Sequence, residues 1–177
     1  MIIELTYFVH GTTIDNEKHL ASGQADAKLS EKGITQGKEL IKLINDDFDF
    51  IFVSDLSRSI DSARLTFGKE RDLIVDKRIR ECDYGELTQQ VKTWKLKEYI
   101  NKKYPGGESY LDVEKRMQAF VDDLKKNFDN KKVALVCHQA PQLALEVIVN
   151  KLSWEEAIDK DWRKDGKWLP GWRYFIK

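Results

Sequence analysis

Two regimes of hydrophobic patterning take turns along the chain. Short apolar runs, Ile2 to Val9, Asp49 to Val53, Leu73 to Val75 and Lys132 to Cys137, are separated by longer stretches in which apolar residues recur at helical spacing. Runs of β-branched, aromatic and aliphatic residues of this length read as strands buried on both faces. Ser30 is placed to cap a helix running to about Asn45, with Ile34, Leu40, Ile41 and Ile44 inward. After the second strand, Ser54 and Asp55 form a loop and cap, and the next helix carries Leu56, Ile60, Ala63 and Leu65. Thr88 to Lys103 is charged and aromatic and predicts one or two helices of a small cap. Ser109 caps a helix with Val113, Met117, Phe120, Val121 and Leu124 on one face. Helices over Pro141 to Lys151 and Ser153 to Ile158 follow, and Trp168 to Ile176 reads as a last strand.

Strand and helix alternate through most of this length. That order predicts an α/β fold, a three-layer α/β/α sandwich around a mostly parallel central sheet. Residues 1–177 fit one domain, with a small cap or excursion at about 78–108. In such sheets the functional groups gather where the strands end. Here the first and fourth apolar runs both close on a histidine, His10 and His138, while the third histidine, His19, lies in a polar loop and reads as solvated.

Composition narrows the partners. The chain has 30 basic and 30 acidic residues, so no global field points to nucleic acid or an anionic membrane. Cys82 and Cys137 are too few and too far apart for a zinc site or a disulfide framework and read as reduced thiols. With no leader pattern and no apolar run approaching a membrane span, the expected location is the cytoplasm.

Arg58 stands in the first turn of its helix, where the helix dipole disfavours a cation and an anion is welcome. Two imidazoles, this guanidinium, the amide of Asn16 and a carboxylate from the excursion make a phosphate site. A neutral imidazole can attack phosphorus, fixed donors can hold the equatorial oxygens, and a carboxylic acid can protonate the leaving oxygen. Taken singly, each residue also has a structural reading. His138 fits a core histidine, Arg58 a helix-surface ion pair with Asp55 or Asp61, and Glu81 a solvated loop carboxylate.

The motifs together resemble the histidine phosphatase superfamily in its phosphoglycerate-mutase-like branch. His10-Gly11 with Thr13 and Asn16, Ser22-Gly23 with Asp26, Leu29 to Gly33 with Gln36, Ser54 to Arg58 with Ser62-Ala63, Arg78 to Gly85, Gly107 to Ser109, and Val136 to His138 follow the family's motifs in order. The resemblance implies His10 as nucleophile, Arg58 and His138 as the phosphate pocket, and Glu81 as general acid, with Asp83 its rival. Gly11, Asn16, Gly23 and Gln139 become substrate-binding positions. No metal or cofactor is implied. The substrate would be a phosphorylated small molecule or a phosphoprotein.

One position departs from the family pattern. Val9 stands where the family carries an arginine before the nucleophile, a loss on the order of 2 to 4 kcal/mol of charge-assisted contact unless Arg78 or Arg80 compensates. The expected activity is a metal-independent phosphomonoester hydrolase. A catalytically weak module that binds phosphate esters or phosphoproteins and a phosphoglycerate mutase are the alternatives, the mutase disfavoured by the absence of its longer insertions. Trp154, Trp162, Trp168 and Trp172, with Arg163, Tyr174 and Phe175, read first as core and second as a pocket or dimer surface. Trp94, Lys95, Lys97 and Tyr99 fit equally a lid over the site and a plain surface helix.

Overall fold

A computed structural model describes residues 2–44, 47–165 and 171–177. Five strands, β1 (Ile3–Val9), β2 (Phe50–Val53), β3 (Ile74–Val75), β4 (Lys132–Cys137) and β5 (Trp172–Ile176), form one sheet in the order β3-β2-β4-β1-β5. All pairings are parallel except that of β5 with β1. The expected α/β sandwich is therefore present, with an antiparallel edge strand built from the aromatic tail. Trp168 and the start of the strand expected from it lie outside the described residues.

The strands are apolar on both faces because both are covered. On one side Phe8, Ile51, Val53, Ala134 and Val136 pack against helices α2 (Glu31–Leu40) and α3 (Ser57–Phe67) through Leu40 and Ala63. On the other, Leu5, Tyr7, Val133, Leu135 and Cys137 meet α4 (Tyr110–Asn127), α5 (Gln139–Ile148) and α6 (Trp154–Asp159). The period of two along each strand sorts the two sets. A four-residue helix, α1 (Ile14–Glu17), follows β1.

Local chemistry explains the helix starts. Ser109 and Asp112 form a capping box at α4, and the five apolar residues expected to face inward from that helix are all buried. Ser30 caps α2 as expected, but the helix ends at Leu40 and tightens into a 3-10 turn, Ile41–Leu43, which leaves Ile41 exposed rather than inward. Asp55 does not cap α3. Leu56 occupies the cap position, the Ser57 N–H donates to Asp26 Oδ1 at 3.2 Å, and Asp55 instead receives Arg80 Nε at 2.6 Å.

The excursion differs most from expectation. Residues 88–103 hold one 3-10 turn, Leu96–Tyr99, and an isolated bridge between Leu20 and Val91 rather than α-helices. Tyr84, Trp94, Tyr99, Tyr104 and Tyr110 form a ladder of ring contacts beneath it, with Tyr99 and Tyr104 stacked at 3.8 Å. Aromatic packing, not helical hydrogen bonding, orders this segment.

Candidate active site

Register places the two histidines. Val9 pairs with Cys137 across the β1–β4 ladder, so the next residues, His10 and His138, leave adjacent strands together. The His10 N–H donates to the Cys137 carbonyl at 3.1 Å, and the two rings lie 5.1 Å apart. His10 stands on the wall of an open cavity of about 420 Å³, with Arg58, Glu81, Asn16, Gly23 and Gln139 also on that wall.

Neutral His10 has one proton to place, and Gly11 fixes it. The ring Nδ1 lies 2.8 Å from the Gly11 carbonyl, which can only accept, so Nδ1 donates and Nε2 keeps its lone pair. Burial and then the nearby Arg58 charge lower the His10 pKa to about 3, against the smaller opposing effect of the Gly11 bond. The group is therefore uncharged at neutral pH.

His138 lies deeper, fully buried behind the cavity wall. Its Nε2 meets Ser54 Oγ at 2.7 Å, while Nδ1 is buried without a partner among the described residues. Burial, then Arg58 and His10, push its pKa well below the ordinary value. These surroundings hold His138 neutral at ordinary pH.

Arg58 is inserted into the loop between α1 and α2. Its two terminal nitrogens donate to the carbonyls of Gly23 at 2.6 Å and Ala25 at 2.8 Å, and neither Asp55 nor Asp61 pairs with it. Gly23 supplies its carbonyl from a backbone with φ of 52°, the left-handed region that glycine enters without a steric penalty. Burial lowers the Arg58 pKa and the Glu81 charge acts against that.

Glu81 is a buried carboxylate at a helix end, not a solvated one. Oε1 accepts the N–H groups of Cys82 at 2.8 Å and Ala140 at 3.0 Å, and Oε2 accepts that of Gln139 at 3.1 Å. The carboxylate thus closes the N-terminus of α5 from a distant loop. Oε2, with a single partner, keeps a lone pair for a proton. Asp83, the rival acid, uses Oδ1 on the Gly85 N–H and is not on the cavity wall.

The remaining expected residues divide. Asn16 lends Oδ1 to the Thr13 N–H in a capping box, leaving its NH2 group on the wall without a partner among the described residues. The Gln139 backbone serves Glu81, and its side chain accepts from Lys92 Nζ at 3.3 Å. Gly11 is not on the wall. Its N–H donates to Ser62 Oγ, and a Cβ there would meet the Gly33 carbonyl oxygen at 2.5 Å, so the glycine lets β1 close onto α2. Arg78 and Arg80, the expected compensating cations, are paired with Asp76 and Asp123, and with Asp55, and are likewise off the wall.

One supporting residue escaped the sequence reasoning. Arg116 on α4 donates to the carbonyls of Arg78, Arg80 and Glu81 and to Glu108 Oε1, clamping the segment that carries the acid. Nothing in the motif spacing marks it, since three of its partners are distant main-chain oxygens. The aromatic tail divides between its two expected readings: Trp162 and Arg163 line the cavity, whereas Trp154 and Tyr174 are buried in the core and Phe175 is exposed. Among the described residues no group of three His, Cys, Asp or Glu side chains gathers as metal ligands, and no helix is long and apolar enough to cross a membrane.

Known proteins share the sequence pattern and the fold. A sequence model of the histidine phosphatase superfamily (branch 1) matches residues 7–161. Phosphoserine phosphatase 1 of Hydrogenobacter thermophilus is 27% identical over 158 residues, 81% of this chain and 74% of that protein. The 2,3-bisphosphoglycerate-dependent phosphoglycerate mutase of Rhizobium meliloti is 28% identical over 171 residues, 84% of this chain and 80% of its own. Among solved structures, a mycobacterial glucosyl-3-phosphoglycerate phosphatase in complex with VO3 superposes with a TM-score of 0.76 at 27% identity, covering 88% of this chain and 86% of that one.

Proposed function

The chain belongs to the histidine phosphatase superfamily, branch 1, and from that membership we propose that it is a phosphomonoester hydrolase working without a metal through a phosphohistidine at His10. The observation that carries this reading is the tautomer of His10. A proton held on Nδ1 by Gly11 aims an unprotonated Nε2 from the wall of a cavity that also holds Arg58 and Glu81.

Nε2 attacks phosphorus and the phosphorus–oxygen ester bond breaks. The departing oxygen takes a proton from Glu81 Oε2. Water then attacks the phosphohistidine while the Glu81 carboxylate accepts its proton, and inorganic phosphate leaves with His10 neutral again. Arg58, the Asn16 amide and a His138 N–H stabilise the charge on the transferring oxygens. Gly23 and Gln139 line the cavity, whose volume of about 420 Å³ suits a phosphorylated small molecule. The two buried free thiols, Cys82 and Cys137, support a cytoplasmic setting.

Hydrolysis of para-nitrophenyl phosphate in EDTA, for the wild type and His10→Ala side by side, tests the reading. Turnover in the wild type and loss of at least about 1,000-fold in the variant are expected. No turnover, with inorganic phosphate still bound, would leave a phosphate-ester binder. Phosphoryl transfer between substrate molecules without net phosphate release would leave a mutase.

A further inference from the structure

Arg163 reaches the cavity from the far end of the chain. It belongs to the 3-10 turn Trp162–Asp165, and its side chain is 17% exposed. Nη1 donates to Gln142 Oε1 at 2.7 Å and to Asp161 Oδ1 at 3.0 Å, and Nη2 donates to the Tyr7 hydroxyl at 3.0 Å. The guanidinium carbon lies 4.4 Å from the centroid of the Trp162 ring. Three of the five donor hydrogens of an arginine are thereby used. The Nε hydrogen and the second Nη2 hydrogen have no partner among the described residues.

A guanidinium held this firmly on the wall of an open cavity is pre-organised for an anion. Its surroundings fit the same purpose. The residue before His10 gives the wall only an apolar side chain, Val9. Arg58 lies on the same wall with both terminal nitrogens already donating to carbonyls. The Tyr7 hydroxyl that receives Arg163 in turn donates to the His138 carbonyl at 2.7 Å, so the cation is referenced to the same strand ends that carry the histidines. Its charge is felt by both imidazoles, where it adds to the larger effects of burial and Arg58. Asp161, 3% exposed, balances part of that charge from behind.

We propose that Arg163 binds the phosphoryl group of the substrate directly, through Nε–H and the free Nη2–H, as a second guanidinium beside Arg58. The assignment deepens the phosphatase reading, and only its turnover arm rests on that reading. A brace that merely joins Tyr7, Gln142 and Asp161 is the competing role, and a brace would have no response to phosphate.

The test uses Arg163→Met and Arg163→Lys in the full chain, with calorimetric titration of inorganic phosphate, kcat and KM on para-nitrophenyl phosphate, and the 15N–1H signal of the Arg163 Nε, assigned by its loss in the lysine variant. Arg163→Met should weaken phosphate binding at least about tenfold and lower kcat/KM at least about 100-fold. The lysine variant, a point charge without the fork, should recover part of the binding but little of kcat. In the wild type the Nε signal should shift on adding phosphate. An unmoved signal, or a folded methionine variant within threefold of the wild type in both binding and kcat/KM, would overturn the assignment. If Arg163→Met loses cooperative melting, Arg163→Lys decides: wild-type binding and kcat would overturn it equally. A wild type that binds phosphate through Arg163 yet turns nothing over would sink the hydrolase and leave this assignment standing.

Discussion

The imidazoles of His10 and His138 stand 5.1 Å apart at 55° to one another, and both are held neutral, one with its proton pinned by Gly11 and the other in contact with Ser54. Two adjacent rings share the field of Arg58, so protonating either makes the other harder to protonate. A bound dianion would reverse that balance. The site is built to remain uncharged at the histidines until an anion arrives.

The first expectation concerns pH and stability. Both folded-state pKa values lie below the ordinary 6.5, so the unfolded chain binds more protons than the folded one in the acid range. The contribution of these histidines is complete above about pH 6.5 and is lost as pH falls below it, toward pH 3 for His10. Thermal melting between pH 7 and pH 4 should show a decline that His10→Gln and His138→Gln each flatten, by up to about 1.4 kcal/mol per pH unit per histidine. Identical pH slopes in all three proteins would refute the assignment.

Glu81→Gln separates chemistry from scaffolding. If Glu81 Oε2 delivers the proton, an alkyl phosphate should lose about 100-fold or more in kcat while para-nitrophenyl phosphate, whose leaving group needs little help, loses far less. Equal losses on both substrates would mean that the residue only closes α5. Glu81→Ala, which strands three N–H groups, should also cost about 1 to 3 kcal/mol in denaturant unfolding.

Arg116→Met removes the clamp on the Arg78–Glu81 main chain without touching the cavity. The expected signature is a fall in kcat of about tenfold, larger for alkyl than for aryl phosphates, with phosphate affinity little changed. A change confined to KM would show that the clamp sets substrate binding instead.

Gly33→Ala tests the contact between α2 and the loop that follows β1. Its Cβ would stand 2.0 Å from the Thr12 carbonyl oxygen, part of a backbone that cannot swing aside. We expect a loss of about 2 to 4 kcal/mol in urea unfolding, together with impaired turnover because His10 lies two residues before Thr12. A stable, fully active variant would mean that this loop yields more readily than its packing implies.

Much of this architecture is legible in the sequence, and the reasons are specific. The strands ending at His10 and His138 declare themselves because both repeat one pattern, and buried parallel strands leave little choice of register. The helix from Ser109 is equally plain, since a cap and five apolar residues at helical spacing agree. The 88–103 segment departs from the helical expectation because its aromatic residues, Trp94 and Tyr99, pack on Tyr84 and Tyr104 outside it, an order that imposes no period on the sequence. Arg116 is hidden for a related reason. Apart from Glu108, its partners are main-chain carbonyls more than 30 positions away, and only tertiary placement distinguishes it from the other surface-type cations.

The sheet order carries a consequence for how the site comes into being. β4 is the fourth strand along the chain, yet it lies between β1 and β2, and the bonds that seat it join residues about 130 positions apart, as Glu4 to Lys131 and His10 to Cys137 do. Contacts of such long sequence separation are slow to close and form late in folding. A growing or partly refolded chain can assemble α2, α3 and the first strands while the gap beside β1 stays open, and in that condition His10 has no neighbour and Glu81 no helix to close. Phosphate-dependent protection of the fold should therefore emerge only with the last cooperative step.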